Sequence, residues 1–317
     1  MQRTDGTALS SPERDFLAIE GLPVAELRRL LDRAQELLPI AVGDAPSEER
    51  LRGRVIANIF FEDSTRTRVS FEMAARRLGA DVVLLGSSGS SASKGETLID
   101  TALNIEAMGV DAIVVRTSIS GGAVLVANAV RCPVINAGDG RHEHPTQALL
   151  DVLTLRLRLG DVSGKRVAIV GDIANSRVAR STTHALVALG AHVEIVGPPT
   201  LVPRGFEIIA QGPGKITIHH DIDSILREVD AIMMLRIQME RAAGSGVAPD
   251  YRSTFGLTAA RRKLLRAGVP ILHPGPVNRG VEIDEEVADD PVDSVILAQV
   301  SCGVAARMAV LLRALAP

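Results

Sequence analysis

The chain has 317 residues, 46% of them hydrophobic and 23% charged, enough for more than one ordinary core without a disulfide or metal staple. A formal charge of −3, no tryptophan, one tyrosine and six phenylalanines leave neither the basic footprint nor the stacking aromatics of a nucleic-acid binder. Cys132 and Cys302 stand far apart in no metal-ligand spacing and read as two reduced, buried thiols.

In chain order, the N-terminal stretch MQRTDGTALSSPERD reads as a flexible arm without the apolar region of a signal peptide. No apolar run is read as long enough to span a bilayer, so a cytoplasmic protein without membrane association is expected. Short apolar runs follow at Val55–Phe61, Asp81–Leu85, Ala112–Val115, Val134–Ala137, Val167–Val170, Val193–Val196, Ala231–Leu235 and Val269–Leu272. Most are rich in β-branched residues and apolar on both faces, the pattern of strands buried in a parallel sheet. Helical periodicity lies between them, over Ser70–Leu78, Leu98–Met108, Gln147–Leu159, Ser181–Leu189 and Thr258–Arg266, and again over Ile296–Leu315. Thr154–Gly160 alternates like a strand, but it continues a helical face that starts at Pro145 and is assigned to that helix. Ala242–Ser253 has no period and reads as a mobile loop.

The alternation predicts an α/β fold. Eight strands divide more naturally into two doubly wound domains, each with a parallel sheet of about four strands, than into one large sheet. The boundary is placed in the long helix beginning near Pro145.

Ligands of open α/β sheets bind beyond the carboxyl ends of the strands, so the residues after each run matter most. Arg66, Arg116, Arg177 and Arg236 all fall within a few residues of a strand end, which points to an anionic ligand. Ser64-Thr65-Arg66-Thr67 leads into a helix, where hydroxyls cap and free N–H groups suit a phosphate; a simple capped helix fits equally well. His144 stands before Pro145, the residue suited to a first helical position. By itself it reads as a buried structural donor, but Thr67 and Arg116 are expected at neighbouring strand ends, and together the three resemble an oxyanion-type site. Ser90 to Thr97 is a small-residue loop with one lysine, Lys94, and reads as a surface loop or as a carrier of charge to a phosphate. Val170-Gly171-Asp172 lacks the further glycines of a dinucleotide fingerprint, and no Walker loop is present.

In combination these motifs resemble those of the aspartate/ornithine carbamoyltransferase family. Ser64-Thr65-Arg66-Thr67-Arg68 resembles its carbamoyl-phosphate signature, and His144-Pro145-Thr146-Gln147 its second motif. Lys94-Gly95-Glu96-Thr97 resembles the lysine loop of the aspartate-specific members. Gly171-Asp172 with Ser176-Arg177-Val178, Arg236-Ile237-Gln238 with Glu240-Arg241, and His273-Pro274-Gly275-Pro276 follow in family order, from about Leu27 to Leu312. The cysteine and tryptophan motifs of the ornithine-specific members are absent, and arginines there would repel a cationic acceptor.

The resemblance implies transfer of the carbamoyl group of carbamoyl phosphate to the α-amino group of L-aspartate, in pyrimidine biosynthesis, with no metal and no cofactor. Residues 1–146 with the C-terminal helix 297–317 are expected to bind carbamoyl phosphate, and residues 147–296 aspartate. It implies that Ser64, Thr65, Arg66 and Thr67 hold the phosphate, that Thr67, Arg116 and His144 polarise the carbamoyl oxygen, and that Gln147 holds the carbamoyl nitrogen. Arg177 and Arg236, supported by Gln238, are implied to pair with the aspartate carboxylates, and backbone around Pro274 and Gly275 to accept from the carbamoyl and amino groups. Gly275 departs from the leucine of some members. Ser90 and Lys94 are implied to come from a neighbouring subunit of a homotrimer, to which a dihydroorotase or a regulatory subunit could add. The competing readings are a carbamoyltransferase with another amine acceptor such as ornithine, a catalytically silent scaffold, and a dinucleotide oxidoreductase.

Overall fold

β-branched runs that are apolar on both faces do build two parallel sheets. A computed structural model of the chain describes residues 13–86, 95–237 and 250–316. Within them the chain forms two compact units, one from residues up to Ala18, Asp32–Thr146 and the segment from Val304, the other from Ile19–Leu31 and Gln147–Gly303.

The first unit holds β1 (Val55–Phe60), β2 (Asp81–Gly86), β3 (Ala112–Thr117) and β4 (Val134–Asp139), in the order β2-β1-β3-β4 and all parallel. Helices α2 (Thr65–Arg77), α3 (Leu98–Ala107) and α4 (Gly122–Ala129) make the crossovers. Ala57, Ile59, Ile113 and Val115 of the central strands pack with Ala102, Ile105, Ala123 and Val126 of α3 and α4 in one cluster. Each fully buried Ile or Val contributes about 1.5–3 kcal/mol of transfer free energy. At the sheet edge, β2 leaves Val83 and Leu84 exposed.

The second unit holds β5 (Arg166–Val170), β6 (His192–Val196), β7 (Lys215–His219), β8 (Ala231–Met234) and β9 (Ile271–Leu272), parallel in the order β7-β6-β5-β8-β9. Helices α5 (Pro145–Leu159) and α6 (Arg177–Ala188) accompany it, with the short helices α7 (Tyr251–Phe255), α8 (Ala259–Arg262) and α9 (Glu285–Ala288). Ala168, Val170, Ile232 and Met234 meet Ile225, Leu257 and Ile271 in its core. Two long helices are divided between the units: α1 (Val24–Val42), between Leu31 and Asp32, and α10 (Ile296–Leu315), between Gly303 and Val304.

Several expectations need correction. The second sheet has five strands, because Lys215–His219 is a strand that the sequence reading omits. It is a half-exposed edge strand, so it lacks the two-faced apolarity that marks the others. Helices α1 and α4 likewise lie outside the predicted elements, and the helix expected over Thr258–Arg266 shortens to Ala259–Arg262. Helix α10 is long and apolar enough, by length and composition, to cross a membrane, contrary to the reading of the runs; 61% of that window is buried in the fold, as in a core helix. Of the loop expected at Ala242–Ser253, residues 242–249 lie outside the described residues, and its end already enters α7. Thr154–Leu159 is helical, as its face from Pro145 predicts. Both cysteines are free, Cys302 buried and Cys132 partly so. Burial and the nearby Glu106 carboxylate push the Cys132 thiol up to about 12, so it is a packing group rather than a nucleophile.

Candidate active site

In each unit the strand order reverses once, between β1 and β3 in the first and between β5 and β8 in the second. At such a switch point the loops leave in opposite directions and open a crevice beyond the carboxyl ends of the strands.

In the first unit the loop after β1 supplies Ser64, the N-cap of α2, whose hydroxyl accepts from the Thr67 amide at 3.4 Å. Thr65 and Arg66 are exposed on the first turn and Thr67 is buried. The first N–H groups of this 13-residue helix have no carbonyl within the helix to receive them, which is the arrangement that attracts an anion. Arg116, near the end of β3 and paired in register with Phe60 of β1, is only 9% exposed. Its Nη2 donates to Glu62 Oε1 at 2.6 Å and its Nη1 to the Ala137 carbonyl at 3.2 Å, which fixes the guanidinium plane. At the end of β4, the buried Asp139 organises the turn that delivers His144. Its Oδ1 accepts from the Glu143 amide at 3.0 Å and Asn136 Nδ2 at 3.0 Å, and its Oδ2 from the Gly121 amide at 2.8 Å. His144 is itself buried. Ser64, Thr65, Arg66, Thr67, Arg116 and His144 thus all lie at or just beyond the carboxyl ends of strands of one sheet.

In the second unit Gly171 follows β5 with φ +138, a conformation that L side chains rarely adopt. An added Cβ there would meet Leu235 Cβ at 3.0 Å, so glycine lets the two strand ends lie close together. Asp172 accepts from the Asn175 amide and Nδ2. Ser176 caps α6, accepting from the Ala179 amide at 3.1 Å, and Arg177 follows, buried at the first position of the helix. Arg236 stands two residues beyond β8 and is half-buried. After β9, the His273 ring accepts from the Gly275 amide through Nδ1 at 2.8 Å, so its Nε2 carries the proton and donates to Glu282 Oε1 at 3.1 Å. Glu282 Oε1 also accepts from the Asn278 amide at 2.6 Å, and Asn278 Nδ2 donates to the Ile237 carbonyl at 2.9 Å. The segment from Pro274 to Asn278 is thereby tied to the residue after Arg236. Gly275 has φ +65, where a leucine would be strained by about 1–2 kcal/mol, so glycine suits this loop and the loop is held by hydrogen bonds. Gln147, also buried, opens the second unit on the first turn of α5.

The comparisons with known proteins match the chain in two successive parts. Residues 14–157 match the family described as aspartate/ornithine carbamoyltransferase, carbamoyl-P binding domain, and residues 163–314 match the Asp/Orn binding domain of the same family. The chain belongs to the aspartate/ornithine carbamoyltransferase family. The aspartate carbamoyltransferase catalytic subunit of Myxococcus xanthus is 54% identical over 300 residues, covering 94% of this chain and 98% of that one. That of Rhodospirillum rubrum is 52% identical, with 96% of each chain covered. Among solved structures, aspartate transcarbamoylase of Trypanosoma cruzi in complex with N-(phosphonacetyl)-L-aspartic acid superposes with a TM-score of 0.87 at 30% identity, over 96% of both chains. The ornithine carbamoyltransferase of Pyrococcus furiosus superposes with 0.85 at 29% identity, over 97% of this chain and 99% of that one. Backbone likeness therefore does not separate the two acceptors.

Ser90, Lys94 and Gln238 lie outside the described residues. The sequence reading assigns no role to four carboxylates behind the site, the buried Asp139, Asp151 and Glu282 and the partly buried Glu62. Asp151 carried a local signal, since it lies four residues after Gln147 on one helical face. Glu62 meets Arg116 only after folding.

Proposed function

We propose that this chain transfers the carbamoyl group of carbamoyl phosphate to the α-amino group of L-aspartate, releasing phosphate. The observation that carries the choice of acceptor is the second switch point, where Arg177 opens the helix after β5 and Arg236 follows β8. A dicarboxylate needs two cations there, whereas the side-chain ammonium of ornithine would be repelled by both. The T. cruzi relative holding a phosphonacetyl-aspartate ligand supports the same reading.

In this reading the first turn of α2, from Ser64 to Thr67, binds the phosphate. Thr67, Arg116 and His144 polarise the carbamoyl oxygen. The amine lone pair of aspartate attacks the carbamoyl carbon, the oxygen takes up negative charge on those donors, and the C–O bond to phosphate breaks as the amine proton passes to the leaving phosphate. Ser64 is already engaged as a cap and has no base adjacent to it in the sequence, so no serine nucleophile is invoked. Acceleration comes from holding both substrates together and from donors fixed in advance of the charge they meet. Glu62 and Ala137 hold Arg116 in that sense. Gln147 accepts from the carbamoyl nitrogen, Gln238 supports Arg236, and the backbone at Pro274 and Gly275 accepts from the carbamoyl and amino groups. Ser90 and Lys94 are supplied by a neighbour in a cytoplasmic homotrimer, which a dihydroorotase or regulatory chain could join.

The test is phosphate release from carbamoyl phosphate with aspartate or ornithine as acceptor. Release with aspartate alone is expected. Release with ornithine at a comparable kcat/KM would overturn the choice of acceptor, and release with neither would overturn the activity. Sizing the purified protein by light scattering tests the trimer, which a monomer at assay concentration would refute.

A further inference from the structure

We infer that Asp151 is a positioning residue that presets the side-chain amide of Gln147 and, through Gln299, the backbone of His273. The inference rests on the function proposed above and adds a residue to it. Asp151 lies on α5 and is 0% exposed. Its Oδ1 accepts from Gln147 Nε2 at 2.9 Å and from Gln299 Nε2 at 2.7 Å, and its Oδ2 accepts from Thr182 Oγ1 at 3.0 Å. Gln299 Oε1 in turn accepts from the His273 amide at 2.9 Å. One carboxylate thus joins α5, α6, α10 and the segment that leads to Pro274, all within the second unit.

The polarity of this network follows from chemistry. The His273 amide can only donate, so Gln299 meets it with Oε1 and offers its NH2 to Asp151 Oδ1; that oxygen is thereby an acceptor, and Gln147 turns its NH2 toward it as well and its carbonyl oxygen away. Asp151 sets the orientation of Gln147, leaving Gln147 Oε1 as the end turned away from the carboxylate. A carbamoyl group presents an NH2, which needs an acceptor; an acetyl group presents a methyl, which does not. Asp151 therefore reads the donor substrate through Gln147 without touching it. Such a buried carboxylate is expensive unless several donors meet it, and three do.

A purely structural role and a positioning role differ in what each variant does. Asp151→Ala leaves a polar space large enough for water, which donates as readily as it accepts and no longer holds the amide in one orientation. Asp151→Asn keeps an acceptor at the Oδ1 position and can turn its NH2 to the Thr182 hydroxyl, which is able to accept. The experiment measures, on the full chain, the KM for carbamoyl phosphate and the inhibition constant of acetyl phosphate against it. For Asp151→Ala, KM rises about tenfold, the scale of one hydrogen bond, while the acetyl phosphate constant stays within about twofold. For Asp151→Asn, both stay within about threefold of the native values. Gln299→Ala keeps the native preference between the two phosphates but raises the KM for aspartate about fivefold, since only the branch to His273 is cut. Equal weakening of both phosphates in Asp151→Ala, or an unchanged KM, overturns the inference. So does loss of the preference in Asp151→Asn, which also decides the matter if the alanine protein does not fold. A native protein without activity overturns the proposed function and this inference with it; an active native protein with unaltered variants overturns this inference alone.

Discussion

Replacing Arg116 with alanine removes two directed hydrogen bonds, to Glu62 at 2.6 Å and to the Ala137 carbonyl at 3.2 Å. The Glu62 side chain keeps 23% of its exposure, so the pair is neither sealed nor on the surface. Breaking a fully buried pair costs about 3–5 kcal/mol and an exposed one less than about 1, which brackets this case near 2 kcal/mol. With a urea slope of about 2 kcal/mol per molar, the denaturation midpoint of Arg116→Ala falls by about 1 M. Turnover with carbamoyl phosphate and aspartate falls further, by about 10²–10³, the usual loss for one oxyanion donor. Arg116→Lys separates the two effects: a lysine restores charge beside Glu62 and regains part of the midpoint, but it lacks the fork and leaves turnover low. Urea unfolding and initial rates on the same preparations are the assay. Native turnover in Arg116→Ala would remove the residue from the site, and an unshifted midpoint would refute the reasoning from the ion pair.

Arg236→Ala should raise the KM for aspartate at least tenfold and leave that for carbamoyl phosphate nearly unchanged, since only one substrate carries the carboxylate it faces; unchanged aspartate saturation would refute its role. Tyr251 is the only tyrosine in the sequence, and burial, with the Glu282 and Asp172 carboxylates nearby, pushes its phenol well above the ordinary range. Its folded value is raised, so the stability it contributes is complete below about pH 10 and is lost as pH rises beyond that. Tyrosinate absorbance should therefore stay absent from the native protein as pH passes 10 and appear only with alkaline unfolding, which Tyr251→Phe should delay; a free titration near 10 in the folded protein would contradict the burial. Asp284 accepts from Arg252 Nε at 2.7 Å and from the Ala259 amide at 3.1 Å, and the guanidinium holds its carboxyl below the usual range. That stability is present above about pH 4 and is lost as pH falls through the lowered folded value. Asp284→Asn should cost less than about 1 kcal/mol at pH 7 and almost nothing at pH 2, by urea midpoints; a difference that grows on acidification would reverse the sign of the argument.

The sequence displays the framework clearly where burial is symmetrical. Strands such as Val167–Val170 are apolar on both faces because helices cover both, and that pattern needs no tertiary knowledge. β7 escapes it: Lys215–His219 alternates along a half-exposed edge, and a short alternating run is common in loops as well. α4 escapes it for the opposite reason, as Gly122–Ala129 is apolar nearly all round and shows little amphipathic face. Within the site, the cationic and hydroxyl residues are legible because they follow strand ends. Their fasteners are not: Glu62 reaches Arg116 across 54 positions and Gln299 reaches Asp151 across 148, distances at which neither periodicity nor spacing carries information.

The division of the chain between the two units has a consequence for biogenesis. The first unit is interrupted: after Thr146 it is not resumed until Val304. Its missing portion brings Arg307 over the ring of Phe71 at 5.1 Å, and Arg313, whose Nη1 donates to the Asp15 carbonyl at 2.9 Å. On the ribosome, then, the half of the protein made first is the half completed last, and its exposed sheet must wait through synthesis of the entire second unit. Any factor that shields nascent chains would be needed longest at residues near the beginning.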